Sequence, residues 1–379
     1  MLTRRDAILV SISGLLLRSV NSAVAAPSSF SKQQYAQAMV IDALGGPGGF
    51  DPDEPEDAPL SSKFIADVRN SGVTAVHVTV NADAVGNGPD RFRKTIAGIA
   101  SMEHELVAHP DVFLRVSSAK DLAEAKATNR MGLIYGFQDT SMLDGDLTRL
   151  TMFHDLGVRI SQPTYNRRNL VGDGCLEEAD GGLSRLGHEF VGEMNRLHML
   201  LDLSHAGPRT IAEGIAASAA PMAITHTGCR ALVDVPRNTY DSSLKALADR
   251  GGVVGIYFMP FLRVSGQPHA DDVIRHIEHA VNVCGEDHVG LGTDGGISGI
   301  ELNEAYAKFA RKFFEDRVKA GVSAPGEAAD VFNLIPEYND PRRFETLASD
   351  LARRGWTSGR IEKILGANFA RLFGDVWSA

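Results

Sequence analysis

Cysteine is scarce in this chain. Cys175, Cys229 and Cys284 are the only three in 379 residues, and their wide spacing gives no disulfide framework. A basic surplus is also missing. The formal net charge is −10, and no basic stripe offsets it, so nucleic acid is excluded as a natural partner. No apolar run is comfortably long enough to span a bilayer, and a membrane anchor is not evident. No Gly-x-Gly-x-x-Gly follows the first strand. The glycine cluster there reads Gly45-Gly46-Pro47-Gly48, which disfavours an open dinucleotide-binding sheet. There is no repeat at solenoid spacing and no long linker. The composition, 44% hydrophobic and 23% charged, is that of an ordinary globular protein, and the length suits one large α/β domain.

The N-terminus reads as a targeting segment. Arg4 and Arg5 precede the mostly apolar run Ala7 to Leu17, and Ala23-Val24-Ala25 fits a small-x-small cleavage site. Residues 1–25 are therefore a signal peptide, and Thr3-Arg4-Arg5-Asp6 has the twin-arginine pattern. Residues 26–379 form a single mature domain, exported to a periplasmic or secreted location.

Eight strand candidates alternate mostly with helices: Met39–Asp42, Val73–Val80, Met131–Phe137, Val158–Thr164, Leu200–His205, Met222–His226, Gly252–Phe258 and His288–Thr293. Helices read between them include Pro208 to Ala219 and Asp271 to Val283. This order predicts a (β/α)8 TIM-type barrel. Beyond Leu302 the chain is helical and charged, a C-terminal helical extension in which Ile361 to Phe373 closes against the barrel.

Such a barrel carries its chemistry at the carboxyl ends of its strands. Those positions hold Asp42, His77, Gln138, Tyr165, His205, His226 and Asp294. His205 and His226 end consecutive strands, so two imidazoles can converge on one ion. The bland alternative is a pair of rim histidines that only hydrogen-bond. Asp294 suits a ligand or general base, or else a turn residue before two glycines. Tyr165 suits a hydrogen-bond donor to a developing oxyanion. His77 lies within an apolar strand, where a buried structural role fits better.

Leu201-Asp202-Leu203-Ser204-His205, Ile224-Thr225-His226, Gly290-Leu291-Gly292-Thr293-Asp294 and the closing run Ile361 to Arg371 resemble the membrane (renal) dipeptidase family of zinc metallopeptidases. The likeness runs from about Met39 to Phe373. It implies zinc, held by His205 and His226 at one site, with Asp294 handling the proton beside the other. It implies that Arg237 binds the substrate carboxylate, a task suited to a planar guanidinium fork. The pattern also departs from the family's. Where the family has a His and an Asp as ligands after its first strand, this chain reads Ala43-Leu44-Gly45-Gly46. The bridging glutamate falls on Gln138, and the oxyanion-polarising histidine falls on Tyr165. The resemblance therefore implies a divergent branch with one zinc ion rather than two, and with Gln138 and Tyr165 as altered catalytic positions. His77, Asp42 and Cys175 stand as candidate replacement ligands. The implied activity is metal-assisted hydrolysis of a dipeptide or small amide. A peptide-tailoring enzyme or a non-catalytic small-molecule binder is the alternative. A homo-oligomer is compatible with the sequence.

Overall fold

The computed structural model describes residues 29–51, 58–81 and 90–377. The signal segment read at 1–25 lies outside them. The fold is a (β/α)8 barrel with a helical C-terminal extension. We number its strands β1 (Ile41–Gly46), β2 (Ala75–Thr79), β3 (Met131–Phe137), β4 (Val158–Ser161), β5 (Leu200–Leu201), β6 (Ala223–Thr227), β7 (Val253–Ile256) and β8 (Val289–Leu291). Neighbours pair in parallel from β1 to β5 and from β6 to β8. A parallel bridge between Asp202 and Ala223 joins β5 to β6. The chain after β8 returns to β1 through Asp294 N–H to Leu44 C=O, 2.8 Å, and through the Gly45–Gly295 pairing.

Alternation along the strands separates two apolar layers. Val76, Val78, Leu133, Tyr135, Leu201, Ile224, Val254 and Leu291 belong to the large cluster shared with the surrounding helices. Ile41, Ala75, Ile134, Ile160, Leu200, Ala223 and Val253 belong to a second cluster that also holds Phe369 and Phe373. Seven strands contribute to it, so it is the barrel lumen, and the last helix plugs its lower end. That helix, Asn368–Trp377, follows a π-helical stretch at Lys363–Ala367 and a short helix at Ser358–Glu362. The single closing helix expected over Ile361 to Phe373 is thus broken at Gly366, whose backbone lies against Met39 and Ile41.

The strand order matches the sequence reading, but only the third strand, Met131–Phe137, keeps both expected ends; the first runs on to Gly46, and the fourth and fifth are cut short. The fifth strand stops at Leu201 because the Asp202 carboxylate takes the Ser204 amide, 3.0 Å, and turns the chain. The fourth stops at Ser161. A short strand at Phe113–Arg115 pairs with the start of β3. It was not foreseen, since three residues carry no readable period. The helix between β5 and β6 runs Pro208–Ala217, with proline in its first turn.

Candidate functional site at the barrel mouth

The lumen turns polar above its apolar floor. His77 is in phase with Ala75, Gln162 with Ile160, Asp202 with Leu200 and Thr225 with Ala223, so all four point inward. Asp202 is fully buried and accepts five hydrogen bonds. They come from the Ser204 and Thr225 amides, from both those hydroxyls, and from Gln162 Nε2, at 2.6–3.0 Å. These donors satisfy a carboxylate that would otherwise be costly to bury.

Local backbone geometry presents the two histidines above this node. The β6–β7 register shifts between Ile224 and Thr227, which frees His226 from the outward phase of Ile224. His205 has φ 63°, a left-handed conformation uncommon for a residue other than glycine. Their Nε2 atoms face each other at 2.8 Å.

The surrounding bonds fix the protons. Asn166 Nδ2 donates to Val322 C=O, so Asn166 Oδ1 accepts from His205 Nδ1–H at 2.6 Å. Thr225 gives its hydroxyl proton to Asp202 at 2.6 Å and so accepts from His226 Nδ1–H at 2.9 Å. Both Nε2 atoms therefore carry lone pairs. Burial, foremost, and then Arg237 hold both imidazoles well below their ordinary pKa, which keeps them neutral.

Two facing lone pairs attract a cation. Nitrogens on one tetrahedral zinc stand roughly 3.3 Å apart, close to the separation here. Each Nδ1–H is already engaged, as in metal-bound histidines. The donors thus fit two positions of one ion. Among the described residues, no group of three His, Cys, Asp or Glu side chains gathers to complete a metal site.

The other residues singled out in the sequence fall at different distances from this pair. Tyr165 stacks on His205, with ring centroids 4.1 Å apart and planes at 27°. Arg237 is buried, and its Nη2 donates to the His205 Nε2 lone pair at 3.2 Å, a bond that a bound cation would replace. Its nearest acidic neighbours in sequence are engaged elsewhere, Asp234 with Arg230 and Asp241 with His279, and Asp294 meets its charge only at longer range. Asp294, at φ 59°, lies within electrostatic reach of Arg237, Arg317 and Tyr165. Burial raises its pKa to about 6 against the pull of the two guanidiniums.

The remaining candidates do not join the pair. Gln138 gives its side-chain amide to Thr79 Oγ1, 2.8 Å. Asp42 is in phase with Val40, faces away from the lumen, and accepts from the Thr293 amide and hydroxyl at 2.8 and 2.6 Å. That arrangement removes Asp42 as a replacement ligand. Cys175 donates to Asn166 Oδ1, 3.3 Å, and burial pushes its thiol up to about 11, so it supports the residue that orients His205. His77 points inward with Nδ1 on Ala43 C=O, 2.7 Å, and its buried Nε2 has no partner. Sequence reasoning missed Asn166, Asp202, Arg317 and Glu327. Of these only Asp202, an acid within an apolar strand, carried a local signal.

The family model for membrane dipeptidase (peptidase family M19) matches residues 57–321. The chain belongs to that family. An amidohydrolase from Pseudomonas aeruginosa is 30% identical to this M19 chain, covering 92% of it and 99% of its own length, with a TM-score of 0.78. An uncharacterized Klebsiella pneumoniae protein from the pqqA 5′ region is 29% identical over 285 residues, 72% of this chain and 93% of that one. A Rhodobacter sphaeroides metallopeptidase, solved with a phosphinate mimic of the dipeptide L-Ala-D-Ala, is 20% identical. It covers 90% of this chain and 99% of its own, with a TM-score of 0.72, a likeness of fold.

Proposed function

We propose that this chain is an exported, dipeptidase-like metallohydrolase that cleaves a dipeptide or small amide. The observation that carries the reading is the convergence of two neutral imidazole lone pairs, 2.8 Å apart, beside a buried guanidinium that makes no carboxylate ion pair among the described residues. His205 and His226 would hold one zinc ion. Such an ion supplies Lewis acidity and an activated water when bound.

The chain's own residues do the rest. Arg237 is stacked near Tyr257 and Phe261, 5.6 and 5.9 Å from their rings, and offers its fork to the substrate carboxylate. That anion would meet a cation that makes no direct ion pair among the described residues. Asp294, with its pKa near 6, is a carboxylate at neutral pH and can take a proton from the attacking water and pass it to the leaving amine. Tyr165 donates to the carbonyl oxygen as negative charge develops there. Gln138 lines the mouth on the β2 side without a proton to move.

Export rests on the two arginines, the apolar run and the small-x-small site within residues 1–25. A processed N-terminus near Ala26 in the extracytoplasmic fraction is the expected finding. Full-length protein retained in the cytoplasm would overturn it.

Among the described residues no third ligand gathers beside the pair, which favours one competing reading, a binder that has kept the cleft without the metal. Elemental analysis of protein purified without chelators, paired with a dipeptide hydrolysis panel, separates the two. About one zinc per chain with chelator-sensitive hydrolysis supports the enzyme. Metal-free protein that still binds dipeptides supports the binder. Two tightly held ions after dialysis would sink the single-ion assignment.

A further inference from the structure

Arg317 reaches the site from outside the barrel. It lies in the helix Glu304–Lys319 of the extension, and its Nη1 donates to Tyr165 Oη at 3.0 Å. Its Nε and Nη2 bind the two oxygens of Glu327, each at 2.7 Å. Both partners are nearly enclosed, with side chains 10% and 6% exposed. A bidentate pair fixes the plane of the guanidinium, so the Nη1 donor is aimed as well as offered. The same segment grips the residues next to Tyr165. Asn166 Nδ2 donates to Val322 C=O and Arg167 Nε to Gly321 C=O, both at 2.7 Å.

A guanidinium has no acceptor. In the contact with Tyr165 the phenol oxygen must therefore accept. A phenolic hydrogen lies near the ring plane and has two places to go, and the positive charge beside the oxygen, with the Arg317 Cζ 5.9 Å from the ring centre, disfavours the place nearer to it. The hydroxyl hydrogen is left on the side away from Arg317, with its ring stacked over His205. We propose that Arg317 is a positioning residue for this site, turning the Tyr165 hydroxyl so that its proton faces the pocket and meets the oxygen of the carbonyl under attack. The proposal rests on Tyr165 being the oxyanion donor, as read above. It makes the Arg317–Glu327 pair part of the catalytic apparatus although neither side chain touches substrate.

The test is a double-mutant cycle on the affinity of a phosphinate dipeptide mimic, whose tetrahedral oxygens stand in for the oxyanion. The mimic is titrated calorimetrically into wild type, Tyr165→Phe, Arg317→Met and the double variant. A parallel cycle follows kcat on the dipeptide that the wild type turns over best. Tyr165→Phe is expected to weaken the mimic about 100-fold and Arg317→Met at least about tenfold. The double variant should bind no worse than Tyr165→Phe alone, since the two residues act as one unit. Dipeptide KM should stay within about twofold while kcat falls.

Arg317→Met leaves Glu327 buried without its partner. Arg317→Lys, which keeps the charge and loses the fork, therefore serves as a second variant with an intermediate effect expected. If Arg317→Met weakens the mimic by the same factor with and without the Tyr165 hydroxyl, Arg317 acts by another route. The proposal then falls while the role of Tyr165 stands. If Tyr165→Phe leaves mimic affinity unchanged, or the wild type does not bind the mimic, the reading of Tyr165 fails first and takes the proposal with it.

Discussion

His205 and His226 approach each other nitrogen to nitrogen, 2.8 Å apart, with the proton of each ring committed on its far side to Asn166 and Thr225. Neutral imidazoles in that arrangement repel unless something positive lies between them. Replacing His226 with Ala should remove metal retention, measured as zinc per chain after dialysis, from about one to near zero. Folding should survive, because strand-end residues of such barrels serve function more than stability. His205→Ala should do the same with no large added backbone cost, since histidine already carries a Cβ at its φ of 63°. Full zinc occupancy in His226→Ala would show that the ion sits elsewhere.

Arg237 is a buried cation that forms no carboxylate ion pair among the described residues. Arg237→Ala should weaken a dipeptide's binding by about 1.5–3 kcal/mol, the worth of a charge-assisted contact, or roughly 10- to 150-fold in KM. A dipeptide whose carboxylate is amidated should bind poorly to wild type and lose little further in the variant. Thermal stability should change little, because no direct ion pair to Arg237 is broken and its charge meets Asp294 only at longer range. A drop in stability with unchanged KM would mean that Arg237 serves the fold.

Burial raises Asp294 to about 6 in the face of Arg237 and Arg317. As a general base it works only when ionised. The profile of kcat/KM against pH should therefore rise through an acid limb near pH 6 and level off above about pH 7. Asp294→Asn should abolish that limb along with most of the activity. An acid limb that persists in Asp294→Asn, at the same midpoint, would assign it to another group.

The barrel was legible because its strands are short apolar runs closed by turn residues, and each of the eight kept its place. The histidine pair was legible because two runs of like form end 21 positions apart in sequence. What could not be read was anything made by distant segments. Asn166 orients His205 across 39 positions, and Arg317 meets Tyr165 across 152. Neither pairing leaves a local period or motif. Asp42 misled for a related reason. A carboxylate at a strand end looks like a ligand until strand phase shows that it faces away from the lumen.

Asp42 gives the sharpest contrast between a structural acid and a site acid. It is fully buried, and burial raises its pKa to about 7 against the hydrogen bonds of Thr293 and the charge of Arg343. In the unfolded chain it titrates near 3.9. A group whose folded pKa is raised contributes its stability below the unfolded value and loses it as pH climbs to the folded one. Stability should therefore fall by about 1.4 kcal/mol per pH unit from this residue between roughly pH 4 and 7, then flatten. Asparagine copies the neutral acid. Its carbonyl can accept the Thr293 amide, and its NH₂ can donate to the Thr293 hydroxyl, which need no longer donate to Asp42. Asp42→Asn should erase this slope, unfolding at a higher temperature than wild type at pH 8 and at a similar one at pH 4. Zinc content and KM should not change, because the side chain is turned away from the imidazole pair. Denaturant melts of both proteins across that pH range, with zinc measured on the same samples, decide the matter. Loss of metal in Asp42→Asn would return Asp42 to the site.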